Sequence, residues 1–329
     1  MREVLADKRI QRVLRLPEQD AGAWRADLDR FQNGDETLTR KSAGESAIQA
    51  IQRLLIFLGY STASTGAFLI DGDFGRGTNR AVAQFQLEHG LTRTIDRSVL
   101  CYACTWQDAS ASIVSIPDAR LTPATLARML TKAIEMIERN TIMCGSLDEA
   151  LFHLDALHRR RLLSCKEIVA KYGELVDQAV DEVAADDITI GREWLLAIIK
   201  QETSGIVRPR FEQHLFTRLN ARHPNEEVAE LRHRSMSFGL GQILGDNYRK
   251  VGASSARAMY ASSAPEQIAQ IARFLAAKAD IARIVGLSAP RDEDFRGVAR
   301  YYNGPGYEKH HYHESLATWF REFKALGIA

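Results

Sequence analysis

Glu202 closes the run Glu193-Trp-Leu-Leu-Ala-Ile-Ile-Lys-Gln-Glu202, in which Trp194, Leu195, Ile198, Ile199 and Glu202 fall at i, i+1, i+4, i+5 and i+8. At helical pitch these positions share one face, so the carboxylate continues an apolar stripe and does not point to water. Thr203-Ser204-Gly205 ends the helix, and Gly205 suits a left-handed cap. Partial burial and the negative end of the helix dipole both disfavour the anion, so a raised pKa is expected. A carboxylic acid that stays protonated near neutral pH can give its proton to the leaving oxygen of a glycosidic bond. Taken alone, a glutamate at a helix C-terminus is more often solvated and idle. What surrounds it in the sequence decides.

Three further segments follow: Arg208-Pro-Arg-Phe-Glu-Gln-His-Leu-Phe216, Ser237-Phe-Gly-Leu-Gly-Gln-Ile243 and Ala299-Arg-Tyr-Tyr-Asn-Gly-Pro-Gly-Tyr307. Glycines 239, 241, 304 and 306 let the backbone turn tightly and approach closely. The Glu-Thr-Ser-Gly, Gly-Leu-Gly-Gln-Ile and Tyr-Asn-Gly motifs, in this order, resemble the lysozyme-like superfamily. Through "FEQHLF", "SFGLGQILGDNY" and "ARYYNGPGY" the likeness is greatest to phage endolysin-type N-acetylmuramidases, over roughly residues 186–329.

That resemblance implies Glu202 as general acid and Glu212 as the candidate second carboxylate. It places Glu212 and His214 beside a substrate cleft and Gln242 on its wall. Tyr302 and Asn303 would line the catalytic site, the phenol hydrogen-bonding the acid or a sugar. Each position also has an ordinary structural reading. Gln242 can cap a helix, Tyr301 and Tyr302 can be core aromatics, and Glu212 can pair with a nearby arginine.

The elements that must position these residues read as helices. Ile48, Ile51, Leu54, Leu55 and Leu58 recur at helical spacing, and Gly59-Tyr60 ends the helix. Asp71-Gly-Asp-Phe-Gly75 is a turn, followed by a second amphipathic helix with Thr78, Val82, Phe85 and Gln86 that ends at His89-Gly-Leu91. A third begins at Thr122-Pro123, with proline in the first turn. This stretch resembles the small three-helix peptidoglycan-binding module of cell-wall hydrolases, over roughly 45–135. An insertion carrying Cys101 and Cys104 interrupts it. Residues 147–184 carry a sustained amphipathic stripe, read as helices packing on the next domain. Ile268, Ile271 and Leu275 mark a core helix, and Trp319, Phe320 and Phe323 the last one. The expected fold class is mainly α. A helical N-terminal extension (1–44) precedes the peptidoglycan-binding domain (45–135), a helical linker (136–185) and a lysozyme-like catalytic domain (186–329).

Composition fits such a chain. Hydrophobic residues make up 45% of the 329, enough to bury a sizeable core. A net charge of +1 argues against a nucleic-acid partner. The N-terminus has no signal-peptide-like apolar run, and no stretch reaches the length of a membrane span. The expectation is synthesis in the cytoplasm, no membrane insertion, and action on peptidoglycan after release, with a holin-type protein as the releasing partner. Cys101-Tyr-Ala-Cys104 lacks a second pair at metal spacing, so reduced, partly buried thiols are expected in place of zinc. His310-His-Tyr-His313 reads as surface decoration, and Arg159-Arg160-Arg161 as a solvated face. No metal or cofactor is expected. The expected reaction is hydrolysis of the β-1,4 bond between N-acetylmuramic acid and N-acetylglucosamine. The alternatives are a lytic transglycosylase forming 1,6-anhydromuramic ends, and a non-catalytic wall-binding protein.

Overall fold

In the computed structural model, residues 2–15, 23–32, 44–63, 69–96, 113–118 and 120–327 are described, and they form a mainly α fold with few, short strands. Among them no helix is long and apolar enough to cross a membrane. The chain divides into two compact units. One comprises Met1–Arg161 with Arg208–Met236, the other Leu162–Val207 with Ser237–Ala329.

In the first unit the Glu45–Phe57 helix is buried nearly all round, from Ala47 and Ile48 to Ile56 and Phe57. Its Gln52 organises the Asp71–Asp73 turn: the amide nitrogen donates to Asp71 Oδ1 (2.7 Å), and the amide oxygen accepts from the backbone N–H groups of Asp71 and Gly72 (3.0 Å each). The next helix, Arg76–Glu88, buries Val82 and Phe85. Its Gln86 donates to Thr125 Oγ1 (3.0 Å) and to the Arg120 carbonyl (2.9 Å), which ties in the Pro123–Glu138 helix capped by Thr122. Gln52 and Gln86 thus fasten a turn and a helix, respectively, to their neighbours. The extension contributes short helices at Arg2–Ala6, Lys8–Leu14 and Ala23–Gln32.

One feature of the first unit departs from the helical expectation. Thr92–Asp96 and Ile113–Pro117 pair as antiparallel strands at the edges of the insertion. Their β-branched content (Thr92, Thr94, Ile95, Ile113, Val114, Ile116) carries the strand propensity that a purely helical reading overlooks. Cys101 and Cys104 lie outside the described residues. The stripe over 147–184 is two helices, Leu147–His158 and Cys165–Ala184, separated where Arg160 adopts a left-handed backbone (φ 54°). The second begins with a capping box: Ser164 Oγ accepts from the Glu167 N–H (3.3 Å), and the Glu167 carboxylate accepts from the Ser164 N–H (2.8 Å).

The segment Arg208–Met236 folds with the first unit. Its helices are Gln213–Arg222 and Val228–Arg234. Arg232, almost wholly buried, ion-pairs with Glu88 and donates to the Gly59 carbonyl (2.6 Å), and its guanidinium lies 4.1 Å from the centre of the Tyr60 ring. The Tyr60 hydroxyl completes the cluster by donating to Glu88 Oε2 (2.7 Å).

The second unit is built round Trp194, which is fully buried with Phe295 and Phe320 at ring distances of 4.9 and 5.0 Å. Trp194 belongs to the Arg192–Thr203 helix, which is packed by Cys165–Ala184, Ala264–Ala276 and Tyr312–Leu326. Ser237 and Phe238 pair antiparallel with Leu244 and Ile243, leaving Gly239-Leu240-Gly241-Gln242 as the hairpin turn.

Candidate active site

Glu202 occupies the last turn of the Arg192–Thr203 helix and is half-buried. The helix stops because Ser204 (φ 48°) and Gly205 (φ 76°) are both left-handed; a Cβ on Gly205 would also run into Leu163. Thr203, between the acid and the stop, points inward, and its hydroxyl donates to the Leu240 carbonyl (2.9 Å). The end of the acid-bearing helix is therefore fastened to the hairpin turn. Gln267, from the Ala264–Ala276 helix, holds the same turn by accepting from the Leu240 N–H (2.9 Å).

Tyrosines complete the surroundings. Tyr312 donates its hydroxyl to Glu202 Oε1 at 2.5 Å. Tyr302, on the Asp292–Asn303 helix, donates to the Gly241 carbonyl at 2.7 Å, and its ring stands edge-on to Phe274 (5.4 Å, 90°). Gly241 has no room for a side chain, since a Cβ there would come within 2.6 Å of the Tyr302 hydroxyl. Burial first, then the Glu202 charge, push both phenols well above the usual tyrosine range. Both hydroxyls thus stay protonated at working pH, and Glu202 is the carboxylate whose charge reaches each of them. Gln242, half-buried and left-handed (φ 46°), donates its amide to the Gly239 carbonyl (3.2 Å). Asn303 is exposed at the helix end before Gly304.

The comparisons with known proteins bear on this constellation. Residues 44–94 match a putative peptidoglycan binding domain, and residues 216–324 match the N-acetylmuramidase family. The chain carries an N-acetylmuramidase domain. It is a glycoside hydrolase acting on peptidoglycan, with a wall-binding domain ahead of the catalytic one. The matched muramidase stretch takes in Gln242, Tyr302, Asn303 and Tyr312, while Glu202 and Glu212 precede it. No curated protein matches the chain. Among solved structures, the crystal structure of a Burkholderia AP3 phage endolysin is similar at 16% identity, covering 89% of this chain and 99% of that one with a TM-score of 0.37.

Of the residues singled out in the sequence, Glu202, Gln242, Tyr302 and Asn303 belong to the second unit. Glu212 and His214 belong to the first. There the Glu212 carboxylate pairs with Arg210 (2.9 Å), the exposed His214 ring stands 3.8 Å from it, and the Glu212 carbonyl opens the Gln213–Arg222 helix. Tyr301 turns away from the acid, stacking on Phe274 (5.2 Å) and donating to the Phe274 carbonyl (2.9 Å).

The sequence reading passes over Tyr312. It falls inside the His310–His313 run, whose histidines suggested a decorated surface loop. His310 and His311 are indeed exposed, but Tyr312 and His313 are buried, the latter edge-on to Tyr307 (5.4 Å, 81°). The missed signal is spacing, since Tyr312, Leu316, Phe320 and Phe323 make one stripe along the last helix. Among the described residues no group of His, Cys, Asp and Glu is arranged to hold a metal ion. Cys144 and Cys165 are buried free thiols, and burial, then Glu322, push the latter up to about 12.

Proposed function

We propose that the muramidase domain hydrolyses the β-1,4 bond between N-acetylmuramic acid and N-acetylglucosamine, with Glu202 as the general acid. The observation that carries this reading is a half-buried carboxylate at a helix end, holding a hydrogen bond from a buried phenol. In the reaction the Glu202 proton passes to the glycosidic oxygen as its bond to the anomeric carbon breaks, and water adds to that carbon and gives up a proton to solvent. General-acid assistance of this kind contributes roughly 10²–10⁴-fold. The Gln242 and Asn303 amides offer donors and acceptors suited to hydroxyl and acetamido groups. Tyr302 fixes the turn that carries Gln242. Glu212 is proposed as the second carboxylate and His214 as a wall contact on the first unit.

The chain is further proposed to act as an endolysin, made in the cytoplasm and reaching peptidoglycan once a holin-type partner has opened the membrane. The chemistry calls for no metal or cofactor.

A lytic transglycosylase is the second reading. In its favour, Glu202 is the carboxylate whose charge reaches both site phenols, and a reaction in which the muramic 6-hydroxyl replaces water needs one carboxylate only. Mass spectrometry of digested walls separates the readings. Hydrolysis at the proposed bond yields reducing N-acetylmuramic ends. Exclusively 1,6-anhydro ends would establish the second reading, and reducing N-acetylglucosamine ends would overturn the proposed bond.

A further inference from the structure

We infer that Tyr312 is the positioning residue of the acid: its hydroxyl holds Glu202 Oε1, directs the transferable proton to Oε2, and stabilises the carboxylate left when that proton departs. The inference rests on Glu202 being the general acid.

Geometry supports it. The 2.5 Å separation lies at the short end of the range for a hydroxyl donating to a carboxylate. Tyr312 is the first residue of the Tyr312–Leu326 helix, and Leu316, Phe320 and Phe323 anchor that helix in the core. About two turns further along, the Trp319 indole N–H donates to Gln201 Oε1 (3.1 Å), beside the acid in the chain. The phenol is thus set against the carboxyl by a whole helix and cannot swing aside alone. Tyr302 cannot substitute, because its hydroxyl is bonded to the Gly241 carbonyl.

The ionisable groups acting on Tyr312 are Glu202 and then Tyr302. Next in sequence, His313 turns to Tyr307, and His311 pairs with Glu314 at the surface (3.3 Å). Lys200, on the acid's own helix, donates to the Leu163 carbonyl (2.7 Å). The phenol remains a donor throughout neutral pH.

No bond of Tyr312 is made or broken, and its contribution grows as Glu202 becomes an anion, which places it in the transition state more than in the ground state. Removing the donor leaves the anion less stable. The Glu202 proton is then held to higher pH, and the loss of activity on the alkaline side moves upward.

The test is Tyr312→Phe and Glu202→Gln in the full chain, with kcat, KM and the pH profile measured on purified peptidoglycan. For Tyr312→Phe, kcat should fall about 10- to 100-fold, KM should stay within about twofold, and the alkaline limb should move up by about one pH unit. An unmoved limb, whether or not kcat falls, overturns the inference while leaving Glu202 intact if Glu202→Gln is inactive. An active Glu202→Gln overturns the reading of the acid itself. If Tyr312→Phe does not fold, 3,5-difluorotyrosine at position 312 keeps the shape and sharpens the donor. The limb should then move down, and an unmoved limb again overturns the inference.

Discussion

Each unit has a glutamate that accepts a hydrogen bond from a tyrosine hydroxyl, and the two are used differently. In the first, Glu88 accepts from Tyr60 and ion-pairs with Arg232, and charges of both signs act on the phenol. In the second, Glu202 accepts from Tyr312, and the charge acting on both Tyr312 and Tyr302 is that of Glu202. A buried carboxylate compensated by a guanidinium is a fastener, since its oxygens are committed to holding elements together. A half-buried carboxylate that accepts from a buried phenol at a helix end is the one proposed as the acid. Burial and a tyrosine are common to both; Glu88 is tied into an ion pair with Arg232, whereas Glu202 is the residue proposed to do chemistry.

The comparison can be broken first at the fastener. Arg232→Ala strands Glu88, whose side chain is 5% exposed, as an unpaired buried charge. Such changes cost about 3–5 kcal/mol. Thermal unfolding should show the first unit melting early, whereas an unchanged melting curve would mean the cluster fastens nothing. At Glu202 the reverse pattern is expected, with activity lost and stability near wild type. Glu212 sharpens the contrast, because its carboxylate is already paired with Arg210. As the proposed second carboxylate, Glu212 should be needed for the rate, so Glu212→Gln should lower wall clearing at least about 100-fold. A fall of less than about tenfold, with folding intact, would remove Glu212 from the chemistry and leave a one-carboxylate mechanism.

Much of this was legible in the chain. Apolar spacing from Trp194 to Ile199 puts Glu202 on the inner face of its helix, and Tyr302 and Asn303 are marked by the glycines after them. The module helices likewise follow from periodicity, and Gln86 is marked in the second of them, whereas the fastening role of Gln52 emerges only from the structure. Tyr312 was not legible, because its bond to Glu202 joins residues far apart in sequence and depends on how two helices pack. The same holds for Arg232 and Glu88. It holds also for the segment with Glu212 and His214, which periodicity reads as helical but which only tertiary contacts assign to the first unit. The strands at Thr92–Asp96 and Ile113–Pro117 are short and separated by the insertion, so neither announces the other.

The most direct test of Glu202 as the acid is the Glu202→Gln chain on purified walls, with pelleting to measure binding and mass spectrometry to measure released ends. The amide preserves shape and hydrogen bonding but has no acidic proton to give. The expected result is wild-type binding with release lowered at least about 100-fold. Release at the wild-type rate by a folded, wall-bound Glu202→Gln chain would contradict the assignment.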